Sequence, residues 1–105
     1  MNKYTIGLDF GTNSCRALLV NISNGNEIAT SVFAYPSGVS GVIIDEKDSH
    51  LARQNPSDYL VGIENTIKNI IAIAKTKEND FGENNIIGIG VDTTGSSPMP
   101  IDANG

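Results

Sequence analysis

The sequence predicts an α/β domain built on a mixed sheet, and three observations predict it. Three β-compatible runs joined by tight turns open the chain, one long amphipathic segment follows, and a short run rich in isoleucine and valine comes after that. The resulting order, β-β-β-α-β with a helix to cover the sheet, combines hairpin-joined strands with a strand reached by a helical crossover. At 105 residues the chain fits one domain. Its apolar share of 39% and charged share of 18% are those of an ordinary folded protein rather than a disordered one.

The first strand is read over Tyr4 to Phe10, where Ile6, Leu8 and Phe10 alternate with small or polar residues. Gly11-Thr12-Asn13 makes a turn, and Cys15 to Ile22 is the second strand. Ser23-Asn24-Gly25-Asn26 carries the Asn-Gly pair that marks a tight hairpin. Glu27 to Tyr35 is the third strand, with Ile28, Thr30 and Val32 expected on one face. Residues 36–55 read as a long loop, a length that usually signals function, mobility or insertion. Asn55 then suits a helix N-cap, Pro56 the first helical position and Asp58 the first turn. Leu60, Ile63, Ile67, Ile70, Ile71 and Ala74 fall at gaps of three and four and form the expected apolar stripe. The helix should end near Lys75 to Lys77. Ile86 to Asp92 reads as a buried parallel strand, and Pro98 to Ile101 as the start of another. The turn-like ending at Asp102-Ala103-Asn104-Gly105 leaves that hairpin unfinished, so a longer natural chain is expected.

Bulk properties narrow the function classes. The net charge of −5 is spread over both halves without a basic patch, so no nucleic-acid partner is expected. Cys15 is the single cysteine, which rules out an intrachain disulfide. The longest apolar run, Ile70-Ile71-Ala72-Ile73-Ala74, is far too short to cross a bilayer. With no signal peptide in view, the expected compartment is the cytoplasm and no membrane partner is expected.

Two segments could carry chemistry. In Asp9-Phe10-Gly11-Thr12-Asn13-Ser14-Cys15-Arg16 an acidic residue ends a strand and a Gly-Thr turn follows. Turn amides and the hydroxyls of Thr12 and Ser14 could donate to phosphate oxygens. Asp9 could hold Mg²⁺, which keeps much of its own hydration shell. The competing reading is an ordinary β-turn whose glycine supplies positive φ. Arg16 could reach a phosphate or point at a surface carboxylate, and both readings stay open. The second segment is Gly88-Ile89-Gly90-Val91-Asp92-Thr93-Thr94-Gly95-Ser96-Ser97. Ligands of open α/β sheets bind beyond the C-terminal ends of parallel strands. The hydroxyls there and the bare Gly95 suit a polyol, although a plain strand-end loop would read the same. His50 lies in a polar loop without a catalytic partner and reads as solvated. Cys15 reads as a small buried residue.

Together the segments resemble a known family. The order of strand, Asp-x-Gly-Thr turn, Asn-Gly hairpin, helix and Gly-x-Gly-Val-Asp strand is similar to that of the sugar kinase, actin and chaperone ATPase superfamily. Residues 7–18, Asn55-Pro56-Ser57-Asp58-Tyr59 and the run from Val91 to Asp102 resemble the FGGY carbohydrate kinases, specifically those acting on L-ribulose. The resemblance covers the chain and implies a ribonuclease H-like fold, with residues 1–105 as the N-terminal part of kinase domain I. It implies ATP and Mg²⁺ as cofactors and a ketopentose, L-ribulose above all, as substrate. By similarity Asp9 would organise Mg²⁺. Gly11, Thr12, Asn13 and Ser14 would lie at the terminal phosphates, with Arg16 beside them. Thr94, Gly95 and Ser96 would border the sugar. The general base and adenosine site of the family belong downstream, so no residue here takes the base role, and Asp92 reads as structural. By itself such a segment is expected to be inactive and to expose apolar surface, which leaves room for a homo-oligomer. Another sugar or polyol kinase of this scaffold and an actin- or chaperone-like ATPase are the competing readings.

Overall fold

The three opening strands form where the sequence predicts them. The computed structural model describes residues 1–95 and 97–105, with β1 at Tyr4–Phe10, β2 at Ser14–Asn21 and β3 at Glu27–Ala34. On β1, Tyr4, Ile6, Leu8 and Phe10 are buried while the intervening residues are not. Gly25 turns the β2–β3 hairpin at φ 76°, and its N–H donates to the Asn21 carbonyl at 2.8 Å.

Between β3 and the helix the expected plain loop contains a small antiparallel ladder, β4 at Ile43–Ile44 and β5 at Ala52–Arg53. The helix α1 runs over Pro56–Lys77, 22 residues, with the Asn55 side chain accepting from the Ser57 N–H as N-cap. A short 3₁₀ turn at Glu83–Asn85 leads into β6 at Ile86–Thr93. The main sheet has the order β3-β2-β1-β6, with β1–β2 and β2–β3 antiparallel and β1–β6 parallel. This is the mixed α/β arrangement that the sequence predicts.

Helix α1 lies across β2 and β3 on one sheet face. The core there consists of Tyr4, Ile6, Leu8, Phe10, Cys15, Ala17, Leu19, Ile28, Ala29 and Tyr35 with Ile70 and Ala74 of the helix. Thr66 is also fully buried, and Phe10, Tyr59 and Tyr35 stack in sequence with ring centroids 5.2 and 5.0 Å apart.

Four expectations need correction. On β3 the pairing passes from Leu19↔Ala29 to Val20↔Glu27, so Ile28 is an inserted residue. That bulge shifts the alternation. Ala29, Ser31 and Phe33 therefore share the helix side with Leu19, Ala17 and Cys15, while Thr30 and Val32 turn away. On α1 the buried line is Asp58, Gly62, Thr66, Ile70 and Ala74, and Leu60 is exposed. The helix packs so close to the sheet that a small residue must sit at its centre. A Cβ on Gly62 would lie 2.5 Å from Cys15 Sγ and 3.1 Å from Phe33 Cδ1. Strand β6 is parallel as expected but not buried, because α1 does not extend over it, and Ile87, Ile89 and Val91 stay exposed. Finally, residues 98–101 form no strand. Among the described residues no helix is long and apolar enough to cross a membrane.

Candidate active site

Parallel pairing of β1 and β6 brings the two chemistry-bearing segments to one end of the sheet. Phe10 is level with Thr93, and the Thr94 N–H donates to the Phe10 carbonyl at 2.9 Å. The turn that leaves β1 and the loop that leaves β6 therefore start side by side. The turn itself closes through the Gly11 N–H donating to the Ser14 carbonyl at 2.8 Å. Gly11 does not take a positive φ, and a Cβ there would stand 3.2 Å from that same carbonyl. Its smallness serves the tightness of the turn rather than a left-handed backbone.

Asp9 is exposed on the face opposite α1. It lies level with Arg16 on β2 and with Asp92 on β6. These three residues, with Gly7, Leu18 and Gly90, line a shallow concavity of about 360 Å³. Arg16 thus stands on the same face as Asp9, and it makes no ion pair among the described residues. Asp92 accepts from the N–H of Thr93 at 3.0 Å, the local bond of a strand-end residue. Among the described residues no three His, Cys, Asp or Glu side chains gather as a metal nest. A site with one or two exposed carboxylates fits a cation that retains waters and takes phosphate oxygens, the habit of Mg²⁺, and does not fit a fully protein-caged ion.

The turn is braced from outside. Asn13 donates its side-chain amide to the Ser40 carbonyl at 2.7 Å, and its own carbonyl accepts from the Tyr35 N–H at 2.9 Å. Its side chain is therefore committed to the 36–44 segment. Gln54 donates through Nε2 to the Thr12 carbonyl at 2.9 Å, while its Oε1 accepts from the Tyr59 hydroxyl at 3.1 Å. Buried Asp58 accepts from the N–H and hydroxyl of Ser37 at 3.2 and 2.9 Å, and Asn55 donates to the same hydroxyl at 3.0 Å. The N-terminal turn of α1 thus anchors both the long connection and the Gly11–Ser14 turn.

Thr94 and Gly95 leave the end of β6, Thr94 Oγ1 lies 3.2 Å from Ser97 Oγ, and Ser96 falls outside the described residues. Gly95 has no positive φ, and a Cβ built on it would meet nothing within 4 Å. A cleft of about 580 Å³ opens beside this loop, lined by Arg53, Gln54, Ser97, Pro98 and Met99 among others. That volume is in the range of small-molecule sites. Sequence reasoning missed Arg53 and Gln54, since nothing in the polar run before the helix marks which residues fold back onto a turn 42 positions earlier. Cys15 is buried, and desolvation raises its thiol above the ordinary range, so it is no nucleophile in the folded chain.

The chain matches no family model. It is 41% identical over 103 residues to a ribulokinase of Vibrio parahaemolyticus, a match covering 98% of this chain and 17% of that protein. It is 38% identical over 109 residues to a ribulokinase of Shouchella clausii, covering 100% of this chain and 18% of that protein. The chain therefore spans less than a fifth of the length of the curated relatives it matches. A gluconate kinase structure from Lactobacillus acidophilus superposes with a TM-score of 0.63 at 22% identity, over 89% of this chain and 16% of that one, which is a likeness of fold. Over its whole length the chain is thus similar to one segment of the ribulokinases, and its fold is like that of part of a sugar kinase structure.

Proposed function

We propose that this chain is the N-terminal part of kinase domain I, ribonuclease H-like in fold, of an enzyme that phosphorylates L-ribulose to L-ribulose 5-phosphate with ATP. The observation that carries the reading is the Thr94–Phe10 hydrogen bond at 2.9 Å, which holds the turn after β1 against the loop after β6. Phosphoryl transfer needs the donor phosphate and the acceptor hydroxyl brought into line, and most of its catalysis is positioning and charge stabilisation. The hydroxyls of Thr12 and Ser14 and the free amides of the turn would receive the terminal phosphates close against Gly11, whose own N–H is held by the Ser14 carbonyl; Asn13 would contribute backbone only, and Arg16 would approach them from the neighbouring strand. Asp9 would hold Mg²⁺ through water, with Asp92 on the adjacent strand. Bound there, Mg²⁺ would neutralise phosphate charge. Thr94, Gly95 and Ser96 would border the sugar.

Gly95 gives the test. Neither a left-handed backbone nor a close neighbour accounts for a glycine at this position. A sugar pocket that needs the space would account for it. In the full-length enzyme containing this segment, Gly95→Val is expected to raise the sugar KM by about tenfold to several hundredfold, the cost of a clash with one or two lost hydrogen bonds. The ATP KM and the melting temperature should stay near wild type. An unchanged sugar KM would remove Gly95 from the site.

A further inference from the structure

One more residue bears on the candidate site, and it lies outside both motifs. Gln54 precedes the helix N-cap and lines the 580 Å³ cleft, yet its amide ends on the turn that would cradle phosphate. Its two hydrogen bonds are directional. The Thr12 carbonyl can only accept, so Nε2 must face it, and the Tyr59 hydroxyl then donates to Oε1 on the other side. Tyr59 is itself fixed, stacked between Phe10 at 5.2 Å and Tyr35 at 5.0 Å between ring centroids. The chain of contacts runs from the aromatic stack through Tyr59 and Gln54 to the Thr12 peptide, whose neighbours offer their amides to a ligand. Thr12 is otherwise at the exposed tip of a tight turn. Gly11 and Asn13 on either side are held by bonds of their own, so the Thr12–Asn13 peptide is the part of the turn that can tilt when the Gln54 amide is lost, and its N–H then points elsewhere.

We infer that Gln54 is a positioning residue for nucleotide phosphate, oriented by Tyr59, which sets the direction of the Thr12–Asn13 peptide in the Gly11–Ser14 turn without touching the sugar chemistry. The inference rests on the kinase reading for its substrate, and the experiment separates the two. Gln54→Leu, Tyr59→Phe and the double variant would be made in the full-length enzyme. ATP affinity would be measured by calorimetry and both KM values by turnover. Tyr59→Phe keeps the stacked ring and removes only the hydroxyl.

The expected result is a rise of roughly five- to twentyfold in ATP Kd and KM for Gln54→Leu, as for one lost positioning hydrogen bond. Tyr59→Phe should give a smaller rise in the same direction. The sugar KM should stay within about twofold, and the double variant should be no worse than Gln54→Leu, because both substitutions break one chain of contacts. A merely structural role would move both KM values together and add in the double variant, and either outcome overturns the inference. So does wild-type ATP affinity in Gln54→Leu. Wild-type enzyme that binds ATP but phosphorylates no ketose would refute the proposed function while calorimetry still judged Gln54. Wild-type enzyme that binds no ATP would overturn both.

Discussion

Asp9→Asn in the full-length enzyme is expected to lower kcat by about a hundredfold or more while the melting temperature stays within a few degrees of wild type. The magnitude is that of removing one preorganised electrostatic group from a charge-stabilising site. The fold should survive because Asp9 is exposed, faces away from α1, and contributes its backbone rather than its carboxylate to the β1 ladders. Asparagine has the same size and shape, so charge is the property lost. Asp92 on the adjacent strand remains, but it supplies one carboxylate where the site would have two. Kinetics of the purified variant, with its thermal melt, check this. Turnover equal to wild type would take Asp9 out of the metal role. A collapse in melting temperature would make the residue structural.

Gly62→Val should be the most damaging single change to stability. The position is buried where α1 crosses β2, and even a first added carbon would stand 2.5 Å from Cys15 Sγ. Alanine would gain about 1 kcal/mol in helix propensity over glycine and lose about 1–3 kcal/mol to overpacking. Valine adds two more methyl groups and gives up most of the propensity gain, so a loss of about 3 kcal/mol or more follows. For a domain of this size each kcal/mol lowers the melting temperature by roughly 4–8 °C. Thermal or urea unfolding measures it. The cause can be isolated by combining the change with Cys15→Ala, which removes the clashing sulfur. Part of the stability should return in the double variant. A Gly62→Val protein as stable as wild type would mean that the helix does not pack this closely.

Much of this was legible in the residues. Alternation on β1, the Asn-Gly turn and the Asn55-Pro56 helix start each state a local preference that the fold keeps. Two misreadings had one kind of cause. The face of β3 was assigned by strict alternation, and the extra residue at Ile28 reversed it. The face of α1 was assigned by its isoleucines, although the closest approach falls on Gly62 and Thr66, where small size matters more than hydrophobicity. Both depend on what the partner strand presents, which no local window contains. The exposure of β6 has a different origin, since α1 lies over β2 and β3 and does not extend to it. The motif order names Asp9, Gly11, Thr12, Ser14 and Thr94, and the structure brings their two segments to one end of the sheet. Gln54 and the commitment of Asn13 to Ser40 come from contacts distant in sequence.

The central claim is that the turn after β1 and the loop after β6 form one wall of a site where ATP phosphorylates a ketopentose. The measurement that meets it directly is ADP release by the full-length enzyme with Mg²⁺ and ATP, with and without L-ribulose, across a panel of sugars and polyols. The account predicts that ADP release depends on L-ribulose and is accompanied by an equal amount of L-ribulose 5-phosphate. ADP release that proceeds at the same rate without any sugar, with no phosphorylated sugar formed, would contradict it and favour an ATPase on the same scaffold.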